Sequence, residues 1–332
     1  FIPITSIRNN TSRPVFFLKE FIVGQIFTVD ENFDHALFEN ASCAFGVFDG
    51  VHLGHQYLIS CAKETAAEHG GLSIALTFDR DPDELFNADG LKKLMSNPAR
   101  VAALSRTGVD AVVVLPFTKE FASLSPQKFL ETTFNGHAPS NLHVGIDFRF
   151  GSHASGTVND LGIWGAHSGT HINAHNLQVA LGEPITATRI RGLLTKHDLE
   201  KASELLGHRY SIIEQIQPGR GEGEDMGFAT ANIVMPKNRQ VLSEGVYSAY
   251  AIVDGVRYRA AVSVGVSPVF ADQTNATCEV HILDFSGNIY GEWIEVEFME
   301  FLRPMIKFDS TEELIRTVMN NIEYTRNTLP LN

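Results

Sequence analysis

The sequence predicts two unlike halves: a Rossmann-like α/β domain built on a parallel sheet, then a small antiparallel β-barrel domain with a C-terminal helix. Three observations predict this. Strand and helix patterns alternate through residues 41–206, which is how a parallel sheet covered on both faces reads. From about His208 the apolar pattern changes to period two without intervening helices, as in a small barrel. The chain then ends in one amphipathic helical stretch.

In the first half the expected strands are residues 41–47, 73–78, 111–115, 143–145 and 177–181. A helix is expected from about His55, with Tyr57, Leu58, Cys61, Ala62 and Thr65 on one face and Gly70-Gly71 as its stop. A second is expected near Pro98 and a third at Ser125-Pro126, with Phe129, Leu130 and Phe134 facing inward. Proline fits a first turn because its missing N–H has no partner there. Gly207 follows Leu205-Leu206 as a helix C-cap. It divides the chain into an N-terminal extension (1–20), a first domain (21–207) and a second (208–332).

In the second half, Asp254-Gly255 between residues 246–253 and 256–264 predicts a type I′ hairpin. Another hairpin is expected from residues 278–285 through Ser286-Gly287-Asn288 to 289–298. Ser310 and Glu313 form a capping box for the last helix, whose apolar face is Leu314, Ile315, Val318 and Ile322.

The 332 residues suffice for two ordinary cores. A net charge of −13 argues against a nucleic-acid binder, which needs a basic surface. Small nucleotides remain open, since backbone N–H groups, an Arg or two and a metal ion can hold them. No apolar run approaches the roughly 18 residues of a membrane span. Cys43, Cys61 and Cys278 include no C-x-x-C pair, so neither a disulfide framework nor a cysteine zinc site is expected, and a reducing cytoplasm fits. The sequence opens on Phe1, and residues 1–20 show no leader pattern.

Residues 46–55, Gly-Val-Phe-Asp-Gly-Val-His-Leu-Gly-His, stand where the first strand should turn into the first helix. Ligands of open α/β sheets bind at the carboxyl ends of strands. Gly46, Gly50 and Gly54 let the backbone approach a phosphate, and the helix N-terminus adds unpaired N–H groups and a positive dipole end. His52 and His55 can hydrogen-bond phosphate oxygens and stabilise charge building at phosphorus in nucleotidyl transfer. Zinc is a second chemistry for H-x-x-H, but no third ligand lies near in sequence. A satisfied structural histidine is the plainer alternative.

The second half carries Gly219-Arg-Gly221-Glu-Gly223 and then Gly227-Phe228-Ala229-Thr230-Ala231-Asn232. A glycine loop lets main-chain N–H groups cradle phosphates. Thr230 and Asn232 offer oxygen ligands to a magnesium ion bridging them. Glu224 and Asp225 place two acids in the same loop. In residues 278–285, period two puts Glu279 on one face with His281, Leu283 and Phe285. A carboxylate on a mostly apolar face is either paired or used; an exposed strand glutamate is the alternative.

These stretches resemble the prokaryotic bifunctional riboflavin kinase/FMN adenylyltransferases, or FAD synthetases. Residues 46–55 are similar to the family's G-x-F-D-G-x-H-x-G-H signature, whose H-x-G-H core a wider nucleotidyltransferase superfamily shares. Residues 144–151 resemble its V-G-x-[DN]-F-R-F-G segment, and residues 115–125 another family stretch. Residues 186–191, Thr-Ala-Thr-Arg-Ile-Arg, resemble S-S-T-R-I-R, which in the family contacts ATP phosphates at a helix start; solvated surface is the alternative for Arg189 and Arg191. Residues 219–232 resemble the G-x-G-x-G…G-F-P-T-A-N kinase motif, residues 279–285 its E-V-H-L-L-D-F-like strand, and residues 262–270 its N-I-G-x-x-P-T-F segment. The resemblance spans about residues 40–326. Departures are Asp81 in place of the histidine of Pro-His-Pro, Ala187 for serine, Ala229 for proline and Val269 for threonine.

The resemblance implies a nucleotidyltransferase-type first domain that adenylylates FMN to FAD. His52 and His55 would be catalytic, with Gly46, Phe48, Asp49, Gly50, Gly54, Asp147, Thr186, Thr188, Arg189 and Arg191 on the nucleotide. It implies a second domain that phosphorylates riboflavin to FMN, with Glu279 as base for the 5′-hydroxyl. There Gly219, Gly221, Gly223, Gly227, Phe228, Thr230 and Asn232 would bind ATP, and Thr230 and Asn232 would hold Mg²⁺. The implied partners are riboflavin, FMN, FAD and ATP, with no nucleic acid, membrane or obligatory protein partner. A single-activity riboflavin kinase with a decayed adenylyltransferase site, or a non-catalytic flavin or nucleotide sensor, is the alternative.

Overall fold

The computed structural model describes residues 24–86, 92–218, 229–266 and 276–331. The expected N-terminal extension, the glycines at 219, 221, 223 and 227, Phe228 and the Pro268-Val269-Phe270 segment lie outside the described residues.

The first sheet has six parallel strands: β1 (Gln25–Thr28), β2 (Ser42–Phe45), β3 (Ser73–Phe78), β4 (Ala111–Leu115), β5 (Asn141–Gly145) and β6 (His171–His175). Their order is β1-β4-β3-β2-β5-β6. Every residue of β2, β3 and β4 is buried, as strands with helices on both faces require. The chain runs outward from β2 in both directions, so the topological switch point lies between β2 and β5. Helix α1 (Leu53–His69) begins on His52 and stops at Gly70, whose φ of 68° suits glycine. Ser96 and Ser125 cap α2 (Asn97–Ser105) and α3 (Pro126–Phe134), and α3 buries Phe129, Leu130 and Phe134 as expected.

One strand differs from expectation. The last parallel strand is β6, not residues 177–181. Only Val179–Ala180 of that stretch is strand, paired with Glu183–Pro184 in a small hairpin. Leu177, Val179 and Leu181 are exposed, whereas β6 is a His-Ile-Asn-Ala-His edge strand with too little apolar character to stand out. Edge strand β1 also lacked a pattern. Besides the short helical turns Pro82–Phe86 and Lys119–Ala122, this half also holds α4 (Val158–Ser168), α5 (Ala187–Leu194) and α6 (Leu199–Leu206), the last capped by Gly207 at φ 76°.

The second sheet is antiparallel: β7 (Ser211–Gln215), β8 (Ala231–Val234), β9 (Gly245–Val253), β10 (Val256–Val266), β11 (Ala276–Ile282) and β12 (Trp293–Arg303), in the order β8-β11-β10-β9-β12-β7. Past the end of β7, the Gln217 N–H donates to the Asn232 carbonyl at 2.8 Å, bringing the two edges together into a nearly closed barrel. Asp254 and Gly255 have φ of 48° and 76°, as a type I′ turn demands. The second expected hairpin does not form. β11 pairs with β8 and β10, and β12 with β9 and β7, so both edges of β11 are already filled.

The last helix, α7 (Thr311–Thr328), accepts its Glu313 N–H on Ser310 Oγ at 3.2 Å. The Glu313 carboxylate takes the Asp309 N–H instead of that of Ser310, so the capping box is displaced by one residue. Ile315, Val318 and Ile322 pack on Ala261 and Leu283 outside the barrel. Inside it, Ile233, Tyr247, Val262, Val280, Val296 and Phe298 share one buried cluster with Ile190 and Leu194 of α5 and Leu199, Ala202, Leu205 and Leu206 of α6.

Candidate active sites

The turn after β2 is strained, and every part of it is tied down. Phe48 and Val51 have φ of 60° and 41°, values that cost a non-glycine residue about 1–3 kcal/mol. Gly50, at φ 79°, has no room for a Cβ, which would meet Leu94 Cδ1 at 2.7 Å. Asp49 Oδ1 accepts the Leu94 N–H at 2.9 Å, and its Oδ2 pairs with Arg191 at 2.8 Å. The Gly50 carbonyl lies 3.1 Å from His208 Nε2, and the Val51 carbonyl accepts from Gln56 Nε2 at 2.8 Å.

The turn delivers His52 and His55 to the start of α1. Their rings stack with centroids 3.6 Å apart, and Phe48 meets His55 edge-on at 5.3 Å. Burial pushes His52 down to about 4. Burial also pushes His55 well below its ordinary value, with His52 and Arg100 adding to the effect. Both imidazoles are therefore neutral near pH 7. His52 Nδ1 accepts the His55 N–H, which places its proton on Nε2, and His55 Nδ1 is buried without a partner. Burial also raises the Asp49 carboxyl, while Arg191 pulls it back.

The N-terminus of α5 converges on that of α1: a Cβ at Gly54 would lie 3.8 Å from the Ile185 carbonyl. Thr186 caps α5 by accepting the Arg189 N–H at 3.2 Å. Arg191 is engaged by Asp49 and by Thr188 Oγ1 at 3.1 Å. Arg189 donates to the carbonyls of Ala180, Glu183 and Pro184 and pairs with Glu183 at 3.4 Å. Both guanidiniums are thus held by protein groups rather than solvated. Asp147 is exposed on the turn after β5, its Oδ1 2.8 Å from where a Cβ on Gly145 would sit. Asp81, the departure from Pro-His-Pro, pairs at 2.7 Å with Lys93, a lysine only 5% exposed. No local pattern marks Lys93, Gln56 or His208: Gln56 Nε2 also donates to the Leu206 carbonyl at 2.9 Å, and His208 reaches Gly50 from the far side of the domain boundary.

On the barrel, register places Asn232 opposite Glu279 and Glu279 opposite Ser263. Directly opposed residues point to the same side. The alternate residues Ala231, Ile233, Cys278 and Val280 fill the interior, so Asn232, Glu279 and Ser263 form a row on the outer face. His281, two residues on, lies 2.9 Å from the Ala229 carbonyl through Nδ1. Leu283 is buried under α7, but Glu279 is exposed. Glu279 and His281 share the outer face as expected, but the strand ends at Ile282, and past Asp284 at φ 60° Phe285 packs against the barrel's interior cluster, so the expected four-residue face breaks at the turn. Among the described residues Glu279 has no ion-pair partner, and no group of three or more His, Cys, Asp or Glu is placed to hold a metal.

A switch-point turn bearing two buried histidines, joined to a barrel with a polar outer row, defines a two-domain nucleotide-dependent transferase. The FAD synthetase family model matches residues 34–189 and the riboflavin kinase model residues 206–329. A bifunctional riboflavin kinase/FMN adenylyltransferase of Listeria monocytogenes is 33% identical over 289 residues, which is 86% of this chain and 92% of that one. The protein so named in Bacillus subtilis is 31% identical over 281 residues, 83% and 88% of the two chains. The chain belongs to the bifunctional riboflavin kinase/FMN adenylyltransferase family. A crystal structure described as a macrolide-efflux protein from Streptococcus pneumoniae has a TM-score of 0.79 at 28% identity, covering 92% of this chain and 99% of that one. Among the described residues here, no helix is long and apolar enough to cross a membrane.

Proposed function

We propose that this chain makes FAD in two ATP-dependent steps, riboflavin to FMN in residues 208–332 and FMN to FAD in residues 21–207, with residues 1–20 an extension. The observation that carries the reading is that the chain holds two separate polar arrangements, the histidine turn at residues 46–55 and the Asn232–Glu279 row on the barrel. The two matched family models fall one on each half.

In the first domain an FMN phosphate oxygen attacks the α-phosphorus of ATP and pyrophosphate leaves. His52 presents its Nε2–H, and the N-termini of α1 and α5 add N–H groups and positive dipole ends to the growing charge. Gly46 and Gly54 leave room for the Phe48 and His52 rings, which a Cβ would meet at 3.2 Å, and Asp147, exposed on the turn after β5, would contact the nucleotide. Arg191 stands ready to move from Asp49 to a phosphate, and Arg189 anchors the Val179–Pro184 hairpin beside it.

In the second domain Glu279 takes the proton of the riboflavin 5′-hydroxyl, whose oxygen attacks the γ-phosphorus, and ADP leaves. Thr230 and Asn232 precede and enter β8 on the outer face, and their neutral oxygens suit a hard cation shared with phosphates. Mg²⁺ bound there would neutralise the phosphate oxygens; Glu279 itself stays free to accept the proton. The partners are the small molecules riboflavin, FMN, FAD and ATP, in a cytoplasmic setting, without nucleic acid.

Incubation with riboflavin, ATP and Mg²⁺, followed by chromatography of the flavins, tests the reading. FAD is the expected product. FMN alone would leave only the kinase; unchanged riboflavin would remove the kinase, and FMN supplied in its place would then test adenylylation separately.

A further inference from the structure

Arg100 of α2 is 2% exposed and, among the described residues, hydrogen-bonds no carboxylate. Its Nη1 donates to the Val47 carbonyl at 2.6 Å and to Thr77 Oγ1 at 2.5 Å. Its Nη2 donates to the Phe78 carbonyl at 2.8 Å and to Asn97 Oδ1 at 3.1 Å. Asp81, Asp49, Glu84 and Asp79 act on its charge from a distance. A buried cation satisfied only by neutral oxygens is costly in general, and this one sits beneath the histidine turn.

The two carbonyls it joins lie at the ends of neighbouring strands. Val47 stands two residues past the end of β2 and precedes Phe48, the first of the two strained residues; Phe78 ends β3. The other fastenings of the turn hold Asp49, Gly50 and Val51, so Arg100 secures its root. We propose that Arg100 is a positioning residue for adenylyl transfer, its planar fork locking the ends of β2 and β3 so that His52 and His55 meet the nucleotide in fixed geometry. This rests on the assignment of residues 46–55 to adenylyl transfer. A planar fork spans two acceptors at the ends of neighbouring strands, whereas a lysine ammonium is a single point.

The test uses the full chain with both activities measured on each variant. Arg100→Lys keeps the charge and loses the fork. Adenylylation is expected to fall by about 10²-fold, as a misplacement of about 1 Å produces, in kcat rather than in KM for ATP, with riboflavin phosphorylation unchanged. Thr77→Val removes one acceptor and is expected to give a smaller loss of the same kind. Added guanidinium should restore part of the adenylylation of Arg100→Ala. Wild-type adenylylation in Arg100→Lys, or equal loss of both activities in it and in Thr77→Val, would overturn the proposal. His55→Ala with full adenylylation would instead remove the site assignment itself, which keeps the two failures distinct.

Discussion

The Nδ1 atom of His52 accepts the backbone N–H of His55 at 3.4 Å, and the two rings lie nearly parallel, 16° apart. One side chain thus caps α1 and fixes its own tautomer. Protonation of Nδ1 would break the cap and put a cation against its buried neighbour.

That relationship sets an acid limit to stability. His52 stays neutral in the folded chain down to about 4, while in the unfolded chain it takes a proton near its ordinary value of about 6.5. Below that value the unfolded state binds more protons, so stability falls with pH until about 4 and the loss then levels off. The loss is about 3 kcal/mol at ~1.36 kcal/mol per pH unit. His143, buried beside His175, is likewise pushed to about 4 and adds to it. Urea midpoints should drop from pH 7 to pH 4, and drop less in His52→Asn, since Asn caps a helix without titrating. An equal drop in both would contradict the assignment.

His55→Ala should reduce FAD formation from supplied FMN by about 10²–10³-fold, the scale of removing one donor to a developing charge. Riboflavin phosphorylation should persist, because Glu279 sits on a separate sheet. The measurement is FMN turnover and riboflavin turnover on one folded preparation; parallel loss would show that the two reactions share a centre.

Glu279→Gln keeps size and hydrogen bonding but cannot take the 5′-hydroxyl proton. FMN production should fall by about 10²–10⁴-fold, as loss of a positioned base does. Adenylylation of supplied FMN should continue. Near-normal riboflavin turnover would make Glu279 an ordinary exposed strand residue.

Removing divalent cations should stop riboflavin phosphorylation, and Mg²⁺ should restore it better than Zn²⁺. The oxygen donors of Thr230 and Asn232 favour a hard ion, and no cysteine or histidine set lies among the described residues there. Full phosphorylation in excess EDTA would exclude this.

Local pattern revealed most of the first sheet. β3 and β4 are uninterrupted buried apolar runs, so their ends could be read directly. β6 could not, because an open-edged strand gains little from apolar residues, while exposed Leu177, Val179 and Leu181 imitated a core strand. Asp254-Gly255 announced its hairpin because the turn geometry is a property of two adjacent residues. The pairing of β12 with β9 and β7 is set by the whole barrel and has no local signature. The site divides in the same way. His52 and His55 were legible from spacing, whereas Arg191 finds Asp49 across 142 residues and Arg100 finds Val47 across 53.

The buried cluster that unites α5 and α6 with the barrel interior has a thermal consequence. Those helices lie before Gly207 in sequence, yet Leu194 and Leu206 share their apolar surroundings with Tyr247 and Phe298. Neither half can melt without baring surface of the other, so calorimetry should record one cooperative endotherm where two catalytic modules joined by a free linker would give two.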